Sequence, residues 1–154
     1  MNLVMAQLPM VNVELPLPVS IPSGYVPDTA VRLGLYRRIA ELRRLDEIEA
    51  LVEEFTDRFG TPPEMLHNLL YQLKVKLLAE QAGLATVTAE SGQIVLRYAS
   101  GSLPDRLPDL GESVRFGKVA LWMPYTHRAD WPERLVEVLE KLADFQAQPA
   151  VAVE

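Results

Sequence analysis

The sequence predicts an α+β fold: an N-terminal edge strand, three consecutive helices, a small, mostly antiparallel sheet and a C-terminal helix. Three observations carry this. Residues Val11 to Ile21 alternate apolar and polar with period two. Three helix-periodic stretches follow between Asp28 and Ala82, each bounded by cap or breaker residues. After Gly83 the pattern turns to short β-prone runs, and one more amphipathic stretch starts at Asp130.

In the first stretch Val11, Val13, Leu15, Leu17, Val19 and Ile21 are apolar, while Asn12, Glu14, Pro16, Pro18 and Ser20 fall between them. Period two means a strand with one buried face. Pro16 and Pro18 lack an N–H, so the strand belongs at a sheet edge. There the prolines also discourage pairing with other chains. A connector rich in proline and glycine runs from Ile21 to Pro27. Asp28 then caps a helix expected to reach about Arg44, with Val31, Leu35, Ile39 and Leu42 inward. Gly34 costs that helix about 1 kcal/mol against alanine.

Asp46 followed by Glu49 has the spacing of a capping box for the second helix. Leu45, Ile48, Leu51, Val52, Phe55 and Phe59 form its apolar stripe, and Gly60 closes it. Thr61 with Glu64 repeats the box, and Pro62 suits a first helical position. The third helix should reach about Ala82, with Leu66, Leu69, Leu70, Leu73, Leu77 and Leu78 on its core face. Thr86 to Ala89 and Gln93 to Tyr98 flank Glu90-Ser91-Gly92, a hairpin signal. Ala99 to Glu112 reads as irregular loop. Val114 to Phe116 and Lys118 to Trp122 are expected as two short strands around Gly117. In the last helix Leu135, Val138, Leu139, Leu142 and Phe145 point inward.

The chain has 154 residues, enough for one ordinary domain. We expect residues 1–10 to be a poorly ordered or vector-derived lead, 11–145 a single domain and 146–154 a frayed tail. Apolar residues make up 49% and charged residues 23%, the balance of a globular core. With 15 basic and 21 acidic residues the formal charge is −6, which argues against direct nucleic-acid binding or adhesion to an anionic membrane. With no cysteine there is no disulfide framework or thiolate nucleophile. No run of 18 apolar residues exists, so no membrane span is expected, and Met1 to Met10 lacks the basic start of a secretion signal.

Catalytic motifs are sparse. The sequence contains neither G-x-x-x-x-G-K-[ST] nor G-x-G-x-x-G. His67 and His127 stand far apart and read as surface or half-buried histidines. No catalytic residue, cofactor or metal ligand is nominated; a hydrolytic site in the loop around His127 is a weak third reading. Trp122 and Trp131 read as core residues, or as a partner surface if exposed. Charge segregation is more informative. Arg32 to Arg44 holds five arginines and one acid, Glu41; Leu45 to Asp57 holds six acids and no base. Glu54 and Asp57 lie away from the apolar stripe and three residues apart, with Glu47 two turns earlier. They form a solvated helix face or an acidic docking surface for a basic partner.

One family resemblance then emerges. Ile21-Pro22, Tyr25-Val26-Pro27-Asp28, Arg32-Leu33, Leu35-Tyr36-Arg37-Arg38-Ile39-Ala40 and Asp57-Arg58-Phe59-Gly60 with Pro63 recur in order and at matching spacings. This pattern, over residues 11–85, resembles the C-terminal domain of bacterial transcription-repair coupling factors, the Mfd family. The resemblance implies a fragment of a cytoplasmic, nucleoid-associated protein. Its parent would be an ATP-driven DNA translocase that displaces stalled RNA polymerase and recruits the excision-repair protein UvrA. The domain itself would be non-catalytic and free of cofactors. It would dock on the UvrB-like N-terminal module, mask the UvrA-binding surface and restrain the motor. Glu54 and Asp57, with Glu47, would be the docking acids. Tyr25, Pro27, Asp28, Arg32, Tyr36, Arg58, Phe59 and Gly60 would be structural. The runner-up is an intermolecular module that contacts UvrA, RNA polymerase or a second copy.

Overall fold

The computed structural model describes residues 11–147; the expectations for 1–10 and for 148–154 fall outside the described residues. The described residues hold five strands and four helices in an α+β arrangement. Residues 16–77 form one compact unit, and the described residues on either side form another.

In the 16–77 unit, α1 spans Thr29–Glu41, α2 Leu45–Phe59 and α3 Glu64–Gln81, whose last turn belongs to the other unit. Asp28 caps α1 as expected: its Oδ1 accepts from the Val31 N–H at 3.0 Å. The helix ends at Glu41, short of Arg44, because Leu42 turns to extended backbone with its N–H on Ile39 O. Asp46 is not the cap of α2. Arg44 holds the cap position, and Glu47 Oε1 accepts from the Arg43 and Arg44 N–H groups at 2.9 Å each. Asp46 is within the helix and pairs with Arg44 at 2.6 Å.

Gly60 closes α2 at φ +94°, a conformation that excludes most side chains. Pro62 is buried before α3 rather than inside it; the Pro63 carbonyl accepts the first helical bonds, from Leu66 and His67. The unit's core is Ile21, Val26, Leu35, Ile39, Ile48, Leu51, Phe55, Leu66, Leu70 and Leu77. These are the residues that the helical spacings put inward, with Ile21 and Val26 added by the connector.

In the other unit the strand order is β1-β2-β3-β5-β4. β1 is Asn12–Glu14, β2 Leu84–Glu90, β3 Gln93–Tyr98, β4 Arg115–Phe116 and β5 Ala120–Pro124. β1 is an edge strand, parallel to β2 with Val13 beside Val87; the remaining pairs are antiparallel. β1 stops at Glu14, so the alternating run to Ile21 is not one strand. Pro16 and Pro18 offer no donor to extend the ladder, and Val19 is exposed. The hairpin turn is Ser91-Gly92, both with positive φ (51° and 80°), the geometry that fits strand twist. β5 begins at Ala120 rather than Lys118, because Gly117 N–H bonds Ala120 O at 2.8 Å and makes 118–119 a turn. α4, Trp131–Ala147, buries Leu135, Val138, Leu139, Leu142 and Ala143. It extends two residues into the segment expected to fray. Phe145 is half-buried, with the Arg106 guanidinium 5.9 Å from its ring centre.

Removing the cap in Asp28→Ala is expected to cost about 1 kcal/mol. Gly60→Ala, forced into positive φ, should cost about 1–3 kcal/mol. Urea unfolding of both variants should place Gly60→Ala as the less stable.

Candidate functional site

The quoted motif residues converge on the ends of α1 and α2. Pro22 O accepts from the Tyr25 and Val26 N–H groups, which folds the connector into a turn. Arg32 Nη1 donates to Val26 O at 2.7 Å and holds that turn over the start of α1. Pro27 has no N–H and leads the chain into the Asp28 cap. The Tyr25 hydroxyl lies 2.7 Å from Gly60 O and 3.1 Å from Phe55 O, across the last turn of α2. Its single proton is shared by those two carbonyls, one inside the last turn of α2 and one just past its end. Partial burial pushes the Tyr25 phenol above its ordinary pKa. Its ring packs on Phe59 at 5.6 Å between centroids. Phe59 in turn meets Phe55 at 6.3 Å and lies under the Arg58 guanidinium at 4.9 Å. The Tyr36 hydroxyl accepts from the Ile21 N–H at 2.7 Å, so it is a structural contact.

The outward side of α2 carries the acids. Glu54 is half-buried and gripped twice. Arg38 of α1 forms a bidentate pair at 2.7 Å per bond, and Arg58 adds one bond at 2.9 Å from one turn later. The hydrogen bonds from Arg38, then Arg58, outweigh partial desolvation and hold the carboxyl down at about 2. Glu54 therefore staples α1 to α2 and stays ionised. Glu47 is half-buried and engaged in capping. Asp57 is exposed and makes no hydrogen bond or ion pair among the described residues. Glu49 and Glu53, also exposed and unpartnered there, precede it at a spacing of four and complete one row. The sequence reading missed those two residues, although i, i+4, i+8 spacing gives them the same helix face as Asp57.

The other singled-out residues are placed more plainly. His67 and His127 are exposed, and His127 has φ 63° in a turn. Trp122 is half-buried on β5, and Trp131 half-buried with its ring 5.8 Å from that of Tyr125. Glu90, like Glu54, is held down at about 2, by Arg97 first and Thr88 second. Arginine pairing thus explains both strongly lowered carboxylates, with no polarised catalytic cleft required. Among the described residues there is no group of three metal-ligating side chains, and no helix long and apolar enough to cross a membrane.

Residues 15–107 match the family model described as TRCF domain. This chain belongs to the TRCF domain family. The matched region contains the quoted motif residues and the acids of α2. The chain is 35% identical over 106 residues to the transcription-repair-coupling factor of Rickettsia prowazekii (strain Madrid E), covering 68% of this chain and 10% of that protein. Against the same-named protein of Mycobacterium tuberculosis (strain CDC 1551 / Oshkosh) identity is 36% over 95 residues, 62% of this chain and 8% of that one. For Escherichia coli (strain K12) it is 31% over 88 residues, covering 57% and 8%. The chain thus spans about a tenth of the length of the curated relatives it matches. A solved structure described as the C-terminal domain of transcription-repair coupling factor superposes with a TM-score of 0.73. That match has 17% identity and covers 90% of this chain and 93% of that one, so it is a likeness of fold. The TRCF domain here therefore has the helices-then-sheet architecture that its motifs imply.

The staple gives this TRCF domain a signed pH dependence. Glu54 titrates at about 2 when folded and at its ordinary 4.5 when unfolded. Between those values the unfolded chain binds more protons, so stability falls as pH drops from about 5 toward 2. Urea midpoints measured across that range should fall less steeply in Glu54→Gln than in the wild type. Glu90→Gln should remove a second, separate contribution in the same window.

Proposed function

We propose that this chain is a non-catalytic, autoinhibitory docking domain of a transcription-repair coupling factor. It packs on the UvrB-like N-terminal module of the same protein and masks the surface that UvrA binds. In that closed form it restrains an ATP-driven DNA translocase until RNA polymerase is engaged. The observation that carries the proposal is the outward face of α2. Glu49, Glu53 and Asp57 form an exposed acidic row with no partner among the described residues. The Arg38–Glu54–Arg58 staple fixes the helix that displays them.

The energetics suit a releasable lock. An exposed ion pair contributes about 0.2–1 kcal/mol, so three or four hold a closed state without freezing it. The open and closed forms then differ by only a few kcal/mol, within reach of a competing partner. Docking of this kind needs a row of basic side chains on the partner module.

The test is a titration of this chain against the separately expressed UvrB-like module at low and moderate salt. Binding should be saturable and should weaken with salt. Asp57→Arg should weaken it while leaving the thermal midpoint nearly unchanged. Glu54→Arg should lower binding and stability together, since it brings three cations into one place. Undiminished binding by Asp57→Arg would remove α2 from the interface.

A further inference from the structure

β4 ends the sheet, and among the described residues no strand pairs with its outer side. The hydrogen bond from Gly117 N–H to Ala120 O, at 2.8 Å, fixes the phase of this ladder. Arg115 and Trp122, two residues further along each strand, are then the next hydrogen-bonded pair. Phe116, opposite Leu121, is the residue between. Its N–H and C=O therefore point to the open edge. The Phe116 side chain is 53% exposed and that of Val119 54%.

Two cations flank these apolar groups. Arg115 and Lys118 are exposed, and neither makes an ion pair or side-chain hydrogen bond among the described residues. Glu112, on the turn before the strand, is the nearest acid in sequence; residues 112–118 still sum to +1 in a chain of net charge −6. Beside the edge lies an open cleft of about 340 Å³ lined by Arg115, Phe116, Gly117 and Trp122. A Cβ on Gly117 would stand 3.1 Å from Trp122 Nε1, so glycine leaves the close space beside that ring open.

We propose that this edge takes an extended, acidic segment of another polypeptide, added as a strand beside β4. The backbone of Phe116 supplies the strand pairing, an apolar side chain of the segment enters the cleft, and its carboxylates meet Arg115 and Lys118. Charge selects this occupant. A second copy paired through its own β4 would bring two edges of the same net positive charge together, whereas an acidic segment brings the opposite charge. The surface is distinct from the acidic row on α2 and calls for a partner of opposite sign.

The experiment is an NMR titration of the whole ¹⁵N-labelled chain with the acetylated, amidated peptide Asp-Val-Glu-Val-Asp, and with Lys-Val-Lys-Val-Lys as its counterpart. The acidic peptide should produce saturable amide shifts centred on Phe116 and its neighbours, and the basic one none. Arg115→Glu with Lys118→Glu should weaken acidic-peptide binding by roughly 2- to 30-fold, the sum of two exposed pairs. Phe116→Pro removes an N–H that no strand among the described residues uses, so the chain should keep its spectrum and lose binding. Equal binding of both peptides, shifts centred on α2, or no saturable change at Phe116 would overturn the proposal. Concentration-dependent shifts at Phe116 without peptide would overturn it in favour of self-pairing.

Discussion

The closing turn of α2 is the constraint on which the helical unit depends. Two devices hold it from opposite sides. Inside, Phe55 is fully buried, and the Tyr25 hydroxyl reaches the Phe55 and Gly60 carbonyls. Outside, Glu54 joins Arg38 to Arg58. The first device ties the connector before α1 to the backbone at the end of α2. The second is a charge-assisted, partly bidentate network, stronger than an isolated surface pair. Together they fix the direction of α2 and therefore which of its acids face solvent. A row of charges can specify a partner only if its spacing is held.

This arrangement divides the acids by task. Glu47 caps the helix, Asp46 pairs with Arg44, and Glu54 staples α1 to α2. Glu49, Glu53 and Asp57 are left for solvent or a partner. The run of acids from Asp46 to Asp57 is therefore not one uniform patch. Its structural members satisfy the helix start and the helix pair, and the remainder form a narrow stripe. Charge reversal at Glu54 would disturb the scaffold as well as the surface, whereas reversal at Asp57 leaves the scaffold intact.

Much of the fold was legible because its signals are local. Asp28 as a cap, Gly60 as a helix end, Ser91-Gly92 in the hairpin turn and the inward residues of α2 and α4 follow from short-range chemistry. The errors came where a local rule had a competitor. Alternation from Val11 to Ile21 looked like one strand, but strand pairing also needs donors, and the prolines withheld them. Asp46 and Glu49 had capping-box spacing, but Glu47 could reach two free N–H groups from one turn in. At the site, helical spacing put Glu54 outward, yet the partner that engages it, Arg38, lies sixteen residues earlier on another helix. No pattern within α2 reports such a contact. The roles of Tyr25 and Arg32 were legible only as a motif, since their partners are backbone carbonyls.

The central claim, that the outward face of α2 is covered in the whole coupling factor, can be measured at a residue that carries no charge. Ala50 is exposed on that side of α2, and this chain has no cysteine of its own. Alkylation of Ala50→Cys can be followed by mass spectrometry in the isolated chain and in the whole protein, with Ser100→Cys as an exposed reference. The account predicts alkylation at Ala50→Cys slowed severalfold in the whole protein and restored by salt, with the reference unchanged. Equal rates at Ala50→Cys in the isolated chain and the whole protein would contradict it.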